Sequence, residues 1–266
     1  MSKKASGFPD LPPSLKAERR GNIAIVTLAR DEKRNALNDT IVLGLEALFS
    51  ALPDPIKAVV LNGAGENFSA GLDLSELAEA EVAEAVQHSR MWHRAFDKIE
   101  FGKAPVVAVL HGAVVGGGLE LAAAAHVRVA ERSTYYALPE GSRGIFLGGG
   151  GTVRLTRLIG ASRVANMMLT GHTYSAEDGQ ALGLSHYLVD NGKGLAKAIE
   201  LAERIATNAP LTNFGVIHAL PRIAENDPAS GYLTEALMAA IAQGSDEAKT
   251  RLKDFLEKRG SKVKRG

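Results

Sequence analysis

Short apolar runs alternate with longer segments of helical composition along this chain. The apolar runs are rich in β-branched residues, as in IAIVTL at 23–28 and VVAVL at 106–110, and they predict buried strands. The intervening segments end at glycine or proline, which predicts helices. The predicted strands are residues 15–20, 23–28, 56–61, 106–110, 133–138 and 187–189, and the predicted helices are residues 40–52, 79–100, 119–126, 152–160 and 161–169. Strands that alternate with helices indicate an α/β domain.

The pattern changes near residue 194, after which it is nearly all helical, with stops near Pro210, Pro221 and Pro228. At the other end, the first fourteen residues contain three prolines and two adjacent lysines and predict no regular element. We therefore predict a mobile arm, a core and a C-terminal helical subdomain. Their predicted bounds are residues 1–14, 15–193 and 194–266.

Two of the predicted strands lead into glycine-rich loops. The strand at 56–61 is followed by NGAGENFSAGLDLSEL, and the strand at 106–110 is followed by HGAVVGGG and a helix. A helix that begins at such a loop presents free backbone N–H groups and the positive end of its dipole, which together favour an anion. Two loops at neighbouring strand ends could each offer one N–H to the same oxygen, which is the geometry of an oxyanion hole.

Two carboxylates stand close to these loops in the sequence. Glu120 lies in the first turn of the helix at 119–126, and Glu140 follows the strand at 133–138. Taken singly, Glu120 could simply stabilise the helix dipole and Glu140 could be a surface turn residue. Together with the two glycine loops, they predict a site for acid/base chemistry.

Composition and charge exclude several other classes of function. The 31 basic and 30 acidic residues give a net charge of only +1, which disfavours nucleic acid or an anionic membrane as partner. The absence of cysteine excludes disulfides and thiolate chemistry, and the seven histidines show no metal-binding spacing. Aromatic residues make up 5% of the chain, too few for a sugar-binding glycosidase. With no apolar run of about eighteen residues and no secretory signal, a soluble cytoplasmic protein is expected.

Three segments in order resemble the signature blocks of the crotonase, or enoyl-CoA hydratase, superfamily. They are NFSAGLDLSEL, HGAVVGGGLELA and LPEGSRGIFLGGGGTVRLTRLIG, and the similarity runs from about Arg20 to the end of the chain. The resemblance implies a spiral of strand-strand-helix units and a C-terminal helical region that assembles trimers or hexamers. It also implies an acyl-CoA thioester as substrate, with no metal and no cofactor other than the CoA of the substrate.

The resemblance also implies roles for individual residues. The backbone N–H groups of Leu72 and Gly117 would hold the thioester oxygen, and Glu120 and Glu140 would move protons, Glu120 chiefly by activating water. The CoA moiety would lie along residues 34–38 and 70–74. The substrate-binding residues implied are Arg34, Ala36, Ala70, Leu72, Asp73, Leu74 and Gly117. Asp73 has the alternative role of capping the turn that follows it.

This sequence departs from the family pattern at three positions that bear on the acyl pocket. Leu72 stands where short-chain hydratases commonly have alanine, Leu147 stands where many members have proline, and Leu138 precedes Pro139 where glutamine is frequent. The third block is also similar to a subgroup that includes methylthioacryloyl-CoA hydratases, in which thioester hydrolysis follows hydration. A 2-enoyl-CoA hydratase is therefore the first hypothesis. The alternatives are that hydratase-hydrolase, an isomerase, a hydratase-lyase and a non-catalytic oligomeric binding protein.

Overall fold

The protein is built from two β-sheets and a series of helices. The computed structural model describes residues 7–76 and 81–257. The strands are β1 (Leu15–Arg20), β2 (Ile23–Leu28), β3 (Ala58–Gly63), β4 (Val106–Leu110), β5 (Ala113–Val115), β6 (Val127–Glu131), β7 (Tyr135–Ala137), β8 (Tyr174–Ser175) and β9 (Tyr187–Val189). The main sheet has the order β1-β2-β3-β4-β6-β9. The predicted hairpin of β1 and β2 is confirmed as its antiparallel edge, and the remaining neighbours are parallel.

The helices include the five that were predicted before residue 170 and one more, at residues 176–182, that was not predicted. They are α1 (Asp39–Ser50), α2 (Val82–Glu100), α3 (Gly117–Ala124), α4 (Gly151–Ile159), α5 (Ala161–Thr170), α6 (Ala176–Leu182), α7 (Gly194–Ala206), α8 (Pro210–Phe214), α9 (Leu220–Glu225), α10 (Pro228–Gly244) and α11 (Asp246–Leu256). Short 3₁₀ helices occupy Asp31–Lys33, Leu74–Glu76 and Glu140–Arg143, and a π-helical turn occupies Gly215–Ala219.

Both faces of the main sheet are covered by helices. Successive residues of a strand point to opposite faces, so that Val26 and Leu28 of β2 join a core formed with the helices α1 to α5. Ile23 and Ile25 of the same strand join a second core with Ala198, Leu201 and Ala202 of α7. Because neither face of β3 and β4 meets water, the sequence is continuously apolar over residues 58–61 and 106–110.

A smaller sheet has the strand order β5-β7-β8, and its strands β5 and β7 each follow a strand of the main sheet along the chain. The chain runs from β4 through β5 into α3, and then from β6 through β7 towards α4. Since β4 is parallel to β6 and β5 is parallel to β7, the two strand-strand-helix units stack on one another. An isolated bridge between Ser69 and Val114 places the turn after β3 beside β5 in the same way. The predicted spiral of such units is confirmed.

The mobile arm predicted at residues 1–14 does not match the structure over residues 7–14; residues 1–6 lie outside the described part of the chain. Phe8 and Leu11 pack against the core, and the ring of Pro12 lies so close to α1 that a Cβ atom on Gly44 would be 2.9 Å from it. Proline excludes regular hydrogen bonding but leaves apolar rings that pack well, so three prolines are compatible with an ordered segment.

The predicted division at residue 194 also requires correction. Helix α7 covers one face of the main sheet and supplies part of the second core, so it belongs to the core. The boundary between the two compact units of the protein lies between Ala206 and Thr207. Helical composition alone could not distinguish a helix packed on the sheet from the helices that follow.

The C-terminal unit consists of helices α8 to α11. Asp227 caps α10 by accepting hydrogen bonds from Ala229 and Ser230, and Ser245 caps α11 by accepting one from Ala248. Many large apolar side chains of this unit are exposed, among them Leu220, Tyr232, Leu233, Leu237, Ile241, Leu252, Phe255 and Leu256. The basic end of the chain, residues 258–266, lies outside the described residues.

Candidate active site

The two glycine loops predicted from the sequence meet at one place. Ser69 exchanges backbone hydrogen bonds with Ala113 and Val115 of β5, so the loop after β3 runs alongside the loop after β4. Gly71 makes this approach possible, because its φ is +90° and a Cβ atom there would lie 2.6 Å from the Val115 carbonyl oxygen. The same Cβ would lie 3.3 Å from the Gly117 amide nitrogen, which brings the two loops into contact.

The backbone amides of Leu72 and Gly117 lie next to each other as a result. A Cβ atom on Gly117 would be 3.4 Å from the Leu72 nitrogen, and Gly117 is the first residue of α3. Among the hydrogen bonds of the described residues, neither amide donates to a protein acceptor. Two free N–H groups at a helix start, one from each loop, are suited to stabilising a negatively charged oxygen.

Glu120 is held by a third glycine loop, at residues 148–151. Its Oε1 accepts hydrogen bonds of 2.8 Å from the N–H groups of both Gly149 and Gly151, and only 3% of the residue is exposed. Burial raises the pKa of Glu120 to about 7. The two N–H groups and the Arg154 guanidinium have the opposite effect, but it is smaller than that of burial. The neighbouring Glu140 adds to the rise. The carboxyl group can therefore take up or release a proton near neutral pH.

Glu140 approaches the same point from the other side. It begins the 3₁₀ helix after β7, and a Cβ atom on Gly116 would lie 2.6 Å from its Oε1. Its Oε2 is buried without a protein partner in the described part of the chain, which leaves this oxygen available to a ligand. Burial raises the pKa of Glu140 as well, although the nearby Arg143 opposes the shift. Two carboxyl groups with raised pKa values thus flank the pair of free amides.

A cavity of about 310 Å³ joins these groups. Its walls include Leu72, Gly117 and both glutamates, so the four groups to which the resemblance gave catalytic roles come together. The rest of the wall comes from α2 and from the loop before α4: Ala85, His88, Ser89, Trp92, Ile145, Phe146, Leu147, Gly148 and Gly149. The lining is mainly apolar and would accept an acyl chain.

The α2 side of the cavity was not anticipated from the sequence. Ala85, His88, Ser89 and Trp92 have the three- and four-residue spacing of one helix face. This spacing predicts that they share a face but not that the face borders a ligand site. Ser89 also donates a hydrogen bond of 2.6 Å to the carbonyl oxygen of Gly148, which ties α2 to the third glycine loop.

The two segments expected to bind CoA lie side by side. The Ala70 N–H donates to the Arg34 carbonyl oxygen, and the Leu37 N–H donates to that of Gly71. Asp73 is only 6% exposed; its carboxylate accepts from Ser75 and pairs with Arg30, a geometry that favours the capping role considered for it. Ala36 is buried and Leu74 is exposed.

Sequence reasoning missed Asn35, which fixes the first of these segments. Asn35 is fully buried with a φ of +53°, and its side chain donates to the carbonyl oxygens of Ala64 and Asn67. Asparagine tolerates this left-handed backbone better than most residues do. The one feature of the sequence that could have pointed to Asn35 is its place between Arg34 and Ala36, which were both expected to bind the substrate.

In the described ranges, 7–76 and 81–257, no cluster of three or more His, Asp or Glu side chains could hold a metal ion, and no helix is long and apolar enough to cross a membrane.

Replacement of Glu120 with glutamine is expected to stabilise the protein at alkaline pH. Because the pKa is raised from 4.5 to about 7 in the folded state, the stabilising contribution of this group is complete below 4.5 and is lost as the pH rises through about 7. Above that pH the buried charge costs about 3 kcal/mol of unfolding free energy, which glutamine avoids. Thermal denaturation at about pH 5 and about pH 8 should show a larger gain in Tm at the higher pH.

The exposed substitution Glu177→Gln provides the control for this measurement, since Glu177 pairs only at the surface with Arg132. An equal change in Tm at both pH values for Glu120→Gln would contradict the raised pKa.

Comparison with known proteins gives one consistent family. A family model described as enoyl-CoA hydratase/isomerase matches residues 18–265. A solved structure of a putative enoyl-CoA hydratase from Rhodopseudomonas palustris is 56% identical, with a TM-score of 0.92, and covers 96% of this chain and 98% of that chain. The 2,3-dehydroadipyl-CoA hydratase of Escherichia coli is 32% identical over 247 residues, 91% of this chain and 94% of that protein. The short-chain-enoyl-CoA hydratase of Clostridium acetobutylicum is 29% identical over 245 residues, with the same coverage of 91% and 94%.

Proposed function

The chain belongs to the enoyl-CoA hydratase/isomerase family, and from that premise we propose that it hydrates a 2-enoyl-CoA thioester to the 3-hydroxyacyl-CoA. The observation that carries the proposal is the single cavity in which two buried glutamates face two free backbone amides. An acyl-CoA substrate fits this arrangement because its thioester oxygen can become negatively charged while the neighbouring carbons exchange protons.

The amides of Leu72 and Gly117 would act on the thioester oxygen. Water adds to the β-carbon of a conjugated thioester only if the electron pair of the double bond can move towards that oxygen and give an enolate. The two N–H groups lie close together on loops that hold them in place, and in this proposal the charge develops beside them. Each donor of this kind contributes about 3 kcal/mol of transition-state stabilisation.

Glu120 and Glu140 would divide the proton transfers. Glu120, as a carboxylate, accepts a proton from the attacking water, and Glu140, as a carboxylic acid, gives a proton to the α-carbon. We place the charge on Glu120 because two N–H groups donate to it, whereas Glu140 has an oxygen without a partner in the described chain. The greater burial of Glu120 acts in the opposite sense, and the pair titrates as a unit. Once Glu120 is ionised, its charge keeps Glu140 protonated.

The CoA part of the substrate would lie along residues 34–38 and 70–74. These segments are hydrogen-bonded to each other, and the second contains Leu72, whose amide would donate to the thioester oxygen. In this proposal Arg34, Ala36, Ala70 and Leu74 border the nucleotide or the pantetheine arm, and Asp73 holds the turn. No cofactor other than the CoA of the substrate takes part.

A direct assay of enoyl-CoA hydration tests the proposal. Purified protein should remove the conjugated absorbance of crotonyl-CoA or of a longer 2-enoyl-CoA, and mass spectrometry should detect the 3-hydroxyacyl-CoA with its thioester intact. Release of free CoA from a sulfur-substituted acryloyl-CoA would favour the hydratase-hydrolase instead. Binding of CoA esters without any turnover would favour a non-catalytic protein.

We further propose that the protein is a homo-oligomer, a trimer or a hexamer. Leu233, Leu237 and Ile241 follow one face of α10 and are 63%, 57% and 57% exposed. A contiguous apolar face of this kind is typical of a protein interface. The C-terminal helices are therefore the proposed contact between copies of the chain.

Substitution of Leu237 with glutamate is expected to shift the protein from the oligomer towards the 28.1 kDa monomer. A buried charge without a partner would oppose association strongly. Light scattering after gel filtration measures the change in mass. The matched control is Gln243→Glu, which adds the same charge to another side of α10. An unchanged mass for Leu237→Glu, or equal dissociation by both variants, would contradict the proposed interface.

A further inference from the structure

We propose that Arg154 is a positioning residue of the active site, which fixes the glycine loop at residues 148–151 and thereby the carboxylate of Glu120. The inference rests on the proposed hydratase function. Arg154 lies in α4, does not line the cavity, and is 7% exposed. Its function is inferred from the three groups that its guanidinium joins.

Arg154 connects α2 to the glycine loop. Its Nε donates to Glu100 Oε2 at 2.5 Å, and its Nη2 donates to Asp97 Oδ1 at 2.7 Å, both on α2. Its Nη1 donates to the carbonyl oxygen of Gly149 at 3.1 Å. One planar guanidinium thus holds two carboxylates and one backbone carbonyl in a fixed arrangement, which the single ammonium of lysine cannot reproduce.

Gly149 is fixed at both of its backbone groups. Its carbonyl oxygen accepts from Arg154, while its N–H donates to Glu120 Oε1 at 2.8 Å. A rotation of this residue would break both bonds together. Gly150 must lack a side chain for the same contact, because a Cβ there would lie against the guanidinium and its φ is +95°.

The charge of Arg154 also acts on Glu120. Burial raises the pKa of Glu120, and the guanidinium is one of the groups that hold the rise back, together with the N–H groups of Gly149 and Gly151. Glu140 is the other charged group that acts on it, and it raises the pKa. Loss of Arg154 would therefore leave less of the carboxylate that accepts the proton from water at neutral pH.

The variant Arg154→Met tests both effects. The acid limb of the pH profile of kcat/KM, which reports ionisation of Glu120 in the free enzyme, should move to higher pH by about one unit. The maximal kcat should fall by about tenfold or more because the loop is no longer fixed, with little change in KM for the CoA ester. Arg154→Lys keeps the positive charge but cannot bind all three acceptors. Its acid limb should therefore lie at the wild-type pH, while its kcat should remain below that of the wild type.

A shift of opposite sign is expected from Glu100→Gln. This substitution removes a negative charge that offsets Arg154, while Asp97 still holds the guanidinium. The acid limb should therefore move to lower pH. A general loss of stability would not move the acid limb in opposite directions when the two partners of one ion pair are substituted in turn.

Two other arginines serve as controls. Arg128→Met removes a buried guanidinium that donates only to the backbone carbonyls of Ala125 and Leu184, among the bonds described, and Arg132→Met removes an exposed one that pairs with Glu177 and Asp190. Both should leave the acid limb in place. A limb that shifts as much in Arg128→Met as in Arg154→Met, or that does not shift in Arg154→Met or Glu100→Gln, would overturn the inference.

A measurement without turnover separates this inference from the proposed function. The infrared stretch of the protonated Glu120 carboxyl, assigned as the band lost in Glu120→Gln, can be titrated in the wild type and in each variant. If the wild type did not hydrate any enoyl-CoA, the proposed function would fail, yet this titration would still decide the effect of Arg154. An unchanged midpoint in either Arg154→Met or Glu100→Gln would overturn it.

Discussion

Glu120→Gln and Glu140→Gln are each expected to lower kcat for enoyl-CoA hydration by about 10²- to 10⁴-fold. Glutamine keeps the size and the oxygen of glutamate but cannot exchange a proton. At position 120 the amide oxygen can still accept from Gly149 and Gly151, so the loop should keep its geometry. Steady-state rates with crotonyl-CoA, at saturating substrate, measure the effect.

The two substitutions should not be additive. Each glutamate moves a proton in the same reaction, so the kcat of the double variant should be only slightly lower than that of the less active single variant. Glu177→Gln, at the surface, should retain the wild-type rate. Near wild-type rates in both active-site variants would rule out the proposed mechanism, and the Tm values would show whether a loss came from unfolding.

Gly71→Ala is expected to lower kcat/KM by about 10²- to 10³-fold, the effect of losing an oxyanion donor. The new methyl group would overlap the Val115 carbonyl oxygen, 2.6 Å away, and this oxygen belongs to strand backbone that cannot move freely. The loop would have to move away from α3, and the Leu72 amide would separate from that of Gly117. Rates and Tm of the purified variant measure the result.

Gly171→Ala is the matched control for this substitution. Gly171 also has a positive φ, +71°, but a Cβ atom added there would meet no atom within 4 Å. Alanine at this position carries the left-handed backbone strain of about 1 kcal/mol without the overlap. A kcat/KM for Gly71→Ala within a few-fold of that for Gly171→Ala would contradict the proposed role of the Leu72 amide.

The glycine loops explain why so much of the candidate site could be predicted from the sequence. A buried strand, a glycine loop and a helix start are local patterns, and their backbone N–H groups are free whatever the rest of the fold does. The glycine loops therefore marked where such donors could lie, and Glu120 and Glu140 stood close to them in the sequence. The resemblance to the family identified the donors as the amides of Leu72 and Gly117, and it favoured an active-site role for both glutamates over the alternatives of a helix-dipole residue and a surface turn residue.

Other parts of the structure depend on distant contacts and were not predicted. The cavity wall on α2 and the ion pairs of Arg154 join segments more than fifty residues apart. Helix α7 and residues 7–14 carry ordinary helical and proline-rich sequences, and only the surfaces that they meet decide that they belong to the core.

Local patterns in the chain predict where it must turn, where strands are buried on both faces and where a helix begins at free amides. These properties follow from backbone conformation and from the spacing of apolar residues, which neighbouring residues set. Which groups meet, and how far water is excluded from them, depends instead on contacts between distant segments of the fold. The raised pKa of Glu120 is the clearest case, because it depends on burial, on Glu140 and on Arg154, and those surroundings exist only once the fold is complete.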